Sequence, residues 1–69
     1  MARDFIKMYS EISSELWENG RKEISFKDLR LVFLKYGIVN EKVALRHIKN
    51  MVDLGLLEET KHIRVWKVV

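Results

Sequence analysis

The sequence predicts a small α+β domain, mostly helical, with three helices, one short strand and a C-terminal β-hairpin. Three observations carry this expectation. Apolar residues recur at helical spacing in three separate segments. The chain's three glycines, at positions 20, 37 and 55, each follow one of those segments, and there is no proline. After Gly55 the character changes, and two β-prone stretches, "LLEE" and "IRVWKVV", flank a polar turn.

The first helix is expected over residues 4–19, with Phe5, Met8, Tyr9, Ile12 and Leu16 on one face. Gly20 closes it by adopting a left-handed conformation. The next stretch, "RKEIS", is polar apart from Ile24 and suits a brief strand. "SFKD" at 25–28 has the form of a capping box with Asp28 in the usual Glu or Gln position. Ser25 then starts the second helix, whose inner face carries Phe26, Leu29, Val32, Phe33 and Tyr36. Gly37 ends it, "GIV" makes a tight turn, and Asn40 caps the third helix through its side-chain oxygen. Glu41 in the first turn complements the positive end of the helix dipole.

That third helix separates two faces. With residues placed at about 100° each and Ala44 as origin, Ile48 and Met51 fall within about 40° of it. Leu45 and Val52 sit at a shoulder. Lys42, Arg46, Lys49 and Asp53 cluster opposite, with Asn50 at the edge. After Gly55 the hairpin is expected to turn at Glu59–His62, with Lys61, His62 and Arg64 at or near its tip, while Trp66 in the last strand covers the core.

Length and composition bound the function. A chain of 69 residues forms one small domain that buries only about 60% of its unfolded surface. The absence of cysteine excludes disulfides and thiolate metal sites, and His47 and His62 are too far apart in sequence to suggest a metal pair. His47 is expected to be packed or on the surface, and His62 solvated. No apolar run approaches the roughly 18 residues of a membrane helix. "MARDFIKMYS" carries charge where a signal peptide has its apolar core, so a cytoplasmic protein is expected. Thirteen basic residues against ten acidic ones give a net charge of +3, a weak signal beside the placement of those charges. There is no Gly-rich phosphate loop, no nucleophile beside a base and no carboxylate pair with an evident pocket. Glu58 and Glu59 read as strand-end solvation, and neither an enzyme nor a cofactor is expected.

The run "GIVNEKVALRHIKNMVDLGLL", followed by a basic hairpin, resembles the winged helix-turn-helix family of DNA-binding domains. The likeness covers residues 24–69. It lies in the small N-cap Asn40, the mid-helix run Arg46-His47-Ile48-Lys49, the exit Gly55-Leu56-Leu57, and the wing at 56–69. The chain is similar to small regulators of archaea and their viruses and to MarR-like and ArsR-like repressors. Two features depart from the family's pattern. The second helix, "FKDLRLVFLKYG", reads about a turn longer than a minimal helix-turn-helix needs, and Val43 stands where a polar, base-reading residue is frequent.

The resemblance implies double-stranded DNA as partner and transcription regulation as function. The residues implied as DNA-binding are Asn40, Lys42, Val43, Arg46, Lys49, Asn50, Lys61, His62 and Arg64. A major groove about 12 Å wide admits one helix, and an Arg there reads the guanine O6/N7 edge while lysines meet phosphates. Taken alone, the basic strip favours a solvated helix face, and the preceding turn, the Gly55 exit and the hairpin reverse that balance. Two other classes of reading stay open: a winged-helix protein-interaction module of a transcription or replication complex, and a non-specific architectural DNA binder. Ile6 and Trp17 lie to the side of the first helix's apolar face, and Leu31 and Leu34 point away from the second helix's inner face. They are either scattered surface apolars or the seam of a homodimer, and the dimer is expected.

Overall fold

The computed structural model describes residues 5–69. The expected helix start at position 4 lies outside them. The elements follow in the order α1 (Phe5–Glu18), β1 (Glu23–Ser25), α2 (Phe26–Leu34), α3 (Glu41–Asp53), β2 (Leu57–Glu59) and β3 (Val65–Val68). The architecture is α+β and mostly helical, with three helices on one antiparallel sheet ordered β1-β3-β2. The last strand is therefore central. It pairs Ile24 with Trp66 on one side and Leu57 with Val68 on the other. No helix of the described residues is long and apolar enough to cross a membrane.

One core joins all six elements. Tyr9, Ile12 and Leu16 come from α1, Phe26, Leu29 and Phe33 from α2, and Ala44, Ile48 and Met51 from α3. Ile24, Leu57 and Val68 close it from the sheet, and Trp66 packs against it half-buried. Alternation along β3 explains the last two. Trp66 and Val68 share the helix-facing side, and Lys67 between them is exposed.

Capping chemistry sets the helix boundaries. The Asn40 side-chain oxygen accepts from the N–H groups of Lys42 at 2.8 Å and Val43 at 3.3 Å. The Ser25 hydroxyl accepts from the Asp28 N–H at 3.3 Å. The reciprocal half of the capping box is replaced. Asp28 turns its carboxylate to Arg21 at 2.9 Å, and this hydrogen bond is the largest of the effects that hold its pKa below the ordinary 3.8. At the other ends, Gly37 and Gly55 take φ of 81°, a conformation costly for any residue with a Cβ. The Ile38 N–H then reaches back to the Phe33 carbonyl and the Leu56 N–H to that of Met51. Gly20 closes α1 in the same manner, through Arg21 to Leu16.

Two sequence expectations are corrected. The first concerns α2, where Tyr36 is not on the inner face. Regular helix stops at Leu34, and the N–H groups of residues 35–37 bond three residues back. That tighter winding swings Tyr36 out to 38% exposure, and Ile38 packs against the core instead. The second correction concerns the hairpin. Ile63 and Arg64 belong to the loop and not to the last strand. Arg64 has φ of 60°, which an extended ladder cannot accept, and Ile63 is 88% exposed.

Candidate nucleic-acid interface

The α3 helix buries Ala44, His47, Ile48 and Met51 and exposes Lys42, Arg46, Lys49 and Asn50. Its two-sidedness follows from the sequence spacing. The ion pairs of the described residues join Arg21 to Asp28, Lys35 to Glu15, and Arg64 to Glu41. None involves Lys42, Arg46 or Lys49, so three cations stand together on one helix face outside these ion pairs. The charge is graded along the helix. Asp53 lies at its C-terminal end, and there it shares a shallow groove of about 260 Å³ with Lys49 and with Glu59 of β2. The N-terminal half is thus the more positive end of the helix.

Glu41 stands in the first turn at that end. Its carboxylate is met by Arg64 Nη1 at 3.3 Å. Arg64 is held there by two further contacts. Its guanidinium lies 4.9 Å from the centroid of the Phe26 ring. Its carbonyl accepts the Phe26 N–H at 2.7 Å, which satisfies one of the orphan donors at the start of α2. Arg64 therefore ties the base of the β2–β3 loop to the N-termini of both α2 and α3. Lys61, His62 and Ile63 form the exposed tip. The loop is stapled by Thr60, whose hydroxyl accepts from the His62 N–H at 3.1 Å and donates to the Val65 carbonyl at 2.8 Å.

Not every expected contact residue faces outward in the same way. The Asn40 oxygen is engaged as a cap, and Val43 is half-buried. Asn50 donates from its amide nitrogen to the Tyr9 hydroxyl at 3.2 Å. That hydroxyl lies 2.6 Å from His47 Nδ1, and His47 is 5% exposed. Phe5 and Phe33 hold the imidazole between them, with ring centroids 4.7 and 5.8 Å away. The network runs from the Asn50 amide to the Tyr9 oxygen and on to His47 Nδ1, and the direction of that last bond follows the tautomer of the ring. It pins α1 to the underside of α3 and fixes the helix that presents the cations. Tyr9, Thr60 and the Arg64–Glu41 pair were not singled out from sequence as site residues. Only Thr60 carried a local signal, a hydroxyl at the start of a polar turn.

Burial pushes the His47 imidazole below its ordinary 6.5, and the Arg46 charge acts in the same sense. The unfolded chain therefore takes up a proton that the folded one resists. This contribution to stability is fully present above pH 6.5 and is lost as the pH falls below that value towards the folded pKa. Urea unfolding should show a lower midpoint at about pH 5.5 than at about pH 7.5, and His62→Gln should keep the difference. An unchanged midpoint would mean that the buried ring is protonated without cost.

Protein-family models, curated proteins and solved structures give no match to this chain. The functional reading rests on the chain's own residues.

Proposed function

We propose that the protein is a winged helix-turn-helix protein that binds double-stranded DNA, with α3 in the major groove and the β2–β3 hairpin as its wing, and that it regulates transcription. The observation that carries this reading is the exposed Lys42, Arg46 and Lys49 strip, outside the chain's described ion pairs, on the outer face of a helix whose inner face is core. The element order and the tight connection across Gly37–Asn40 support it. In this reading Arg46 reads a guanine edge, Lys42 and Lys49 meet phosphates, and Lys61 and His62 touch the backbone from the wing. Arg64 acts indirectly by neutralising Glu41 at the end of α3 that enters the groove.

The roles of the two wing cations differ in a measurable way. Lys61→Gln should reduce affinity for all duplexes and lower the salt slope by about one, leaving the preferred sequence unchanged. Arg64→Gln should also weaken binding, because Glu41 then faces the phosphates unpaired. Adding Glu41→Gln should restore much of that loss. If the double variant binds as poorly as Arg64→Gln alone, Arg64 touches DNA itself.

A second reading is a protein-interaction module, favoured by the exposed Leu31 and Leu34 beside Phe26. Selection of bound duplexes from a random pool separates the possibilities. A regulator enriches a defined site, an architectural binder retains duplexes without enrichment, and an interaction module retains none.

A further inference from the structure

Among the exposed apolar side chains of the described residues, Ile63 stands furthest out, at 88%. Ile6 and Trp17 on α1 and Leu31 and Leu34 on α2, the residues expected at a dimer seam, are exposed by 44% to 66%. Ile63 sits at the tip of a loop that is fixed on both sides of it. Before it, the Thr60 hydroxyl accepts the His62 N–H at 3.1 Å. After it, the Arg64 carbonyl accepts the Phe26 N–H, and the Arg64 side chain is held by Glu41 and by the Phe26 ring. Arg64 takes φ of 60°, a left-handed conformation uncommon for a residue with a Cβ. Such a backbone persists only where its surroundings over-determine it, and here they do. The turn takes Ile63 off the line of β3 and holds it in water.

The chemistry of the tip narrows what it meets. Lys61 and His62 precede Ile63 there, and the nearest acid in sequence, Glu59, ends β2. The tip thus joins a cation to an aliphatic side chain whose β-branch leaves it few rotamers to lose. A phosphate backbone uses the cation and has no use for the aliphatic. A lipid surface uses both, but stable attachment there takes more than one small apolar group. The interior of a duplex fits better, because proteins that deform DNA set cations on the phosphates and an apolar wedge between base steps.

We propose that Ile63 is a minor-groove wedge, which enters the base stack of double-stranded DNA at a pyrimidine–purine step and bends the duplex, with Lys61 and His62 on the flanking phosphates. The proposal rests on the reading of α3 as the major-groove helix. Pyrimidine–purine steps unstack most readily, so the wedge selects sequence beside the α3 site without a hydrogen bond to any base. Arg64 is a positioning residue in this arrangement, since it holds the backbone that presents Ile63.

The test uses a duplex with TA steps spaced one helical turn apart, 2-aminopurine in place of the TA adenines and a dye pair at its ends. Wild type should raise the 2-aminopurine fluorescence and bring the ends closer at saturation. Ile63→Ala should bind about tenfold more weakly, because burial of the side chain is offset in part by unstacking, and should produce neither signal when bound. Ile63→Leu should keep both signals, and Lys61→Gln should bind more weakly yet keep both at saturation. Replacing each TA step by AA should lower wild-type affinity and leave that of Ile63→Ala unchanged. A wild type that binds with its bases still stacked overturns the wedge, and so does unstacking that survives Ile63→Ala; α3 docking stands in either case. Wild type that binds no duplex at low salt removes the α3 reading and the wedge together. Sedimentation with phosphatidylserine vesicles that is lost in Ile63→Ala, with duplex binding unchanged, would assign the tip to a lipid surface instead.

Discussion

Phe33→Ala is expected to lower stability by about 3–5 kcal/mol, the usual cost of emptying a fully buried phenylalanine site. Phe33 is 0% exposed, and its ring lies beside His47. The void would therefore open between α2 and α3 and loosen the support of the basic strip. A domain of this length has only about 3–10 kcal/mol in total, so this single change should remove a large part of it. With a urea dependence of about 1 kcal/mol per molar, the unfolding midpoint should drop by roughly 3 M or the variant should be unfolded in buffer. A drop below about 0.5 M would mean that Phe33 does not anchor the core.

Arg46→Ala should cost about 1–3 kcal/mol of binding at the best duplex and relax the preference at one base pair per half-site. Its side chain carries no core packing, so the folded state should be unaffected. Lys49→Ala should behave differently. It should weaken all duplexes alike and flatten the salt slope by about one unit, as expected for a phosphate contact. Fluorescence anisotropy with a panel of duplexes over a salt series distinguishes the two patterns. If both variants bind as the parent does, α3 is not in the groove.

The parts of the molecule legible in the sequence are those governed by local spacing. Gly37 and Gly55 announce helix ends because a left-handed backbone is needed at one position each. Asn40 and Ser25 announce starts because their oxygens satisfy amides two or three residues on. The split of α3 into an apolar and a basic face is a matter of 100° steps, and it places Lys42, Arg46 and Lys49 together without knowledge of anything else. Periodicity failed where winding changed. Tyr36 reads as an inner-face residue only if α2 continues unaltered, and the tightened turn after Leu34 carries it outward. Propensity failed at Ile63 and Arg64, where the Thr60 hydroxyl and the bond from Phe26 N–H to the Arg64 carbonyl outweigh a β-prone run.

Pairings between distant residues left no local trace. Tyr9 and His47 are 38 positions apart, and Arg64 and Glu41 are 23 apart. Tyr9 fits the apolar face of α1 by spacing, and its hydroxyl adds nothing to that pattern. Only the fold shows that the hydroxyl links the imidazole to Asn50. Arg64 likewise reads as one more wing cation until the fold brings Glu41 and Phe26 beneath it. These pairings bear most on how the proposed interface works, because they decide which charges are available to a partner.

The most direct measurement is an amide chemical-shift titration of the protein with a mixed-sequence duplex at low salt. Insertion of α3 predicts shifts concentrated on Lys42, Arg46 and Lys49 and on the loop at 60–64, fading as salt is raised. Shifts confined to α1 or to the Leu31–Leu34 surface of α2, or none at any duplex concentration, would contradict it.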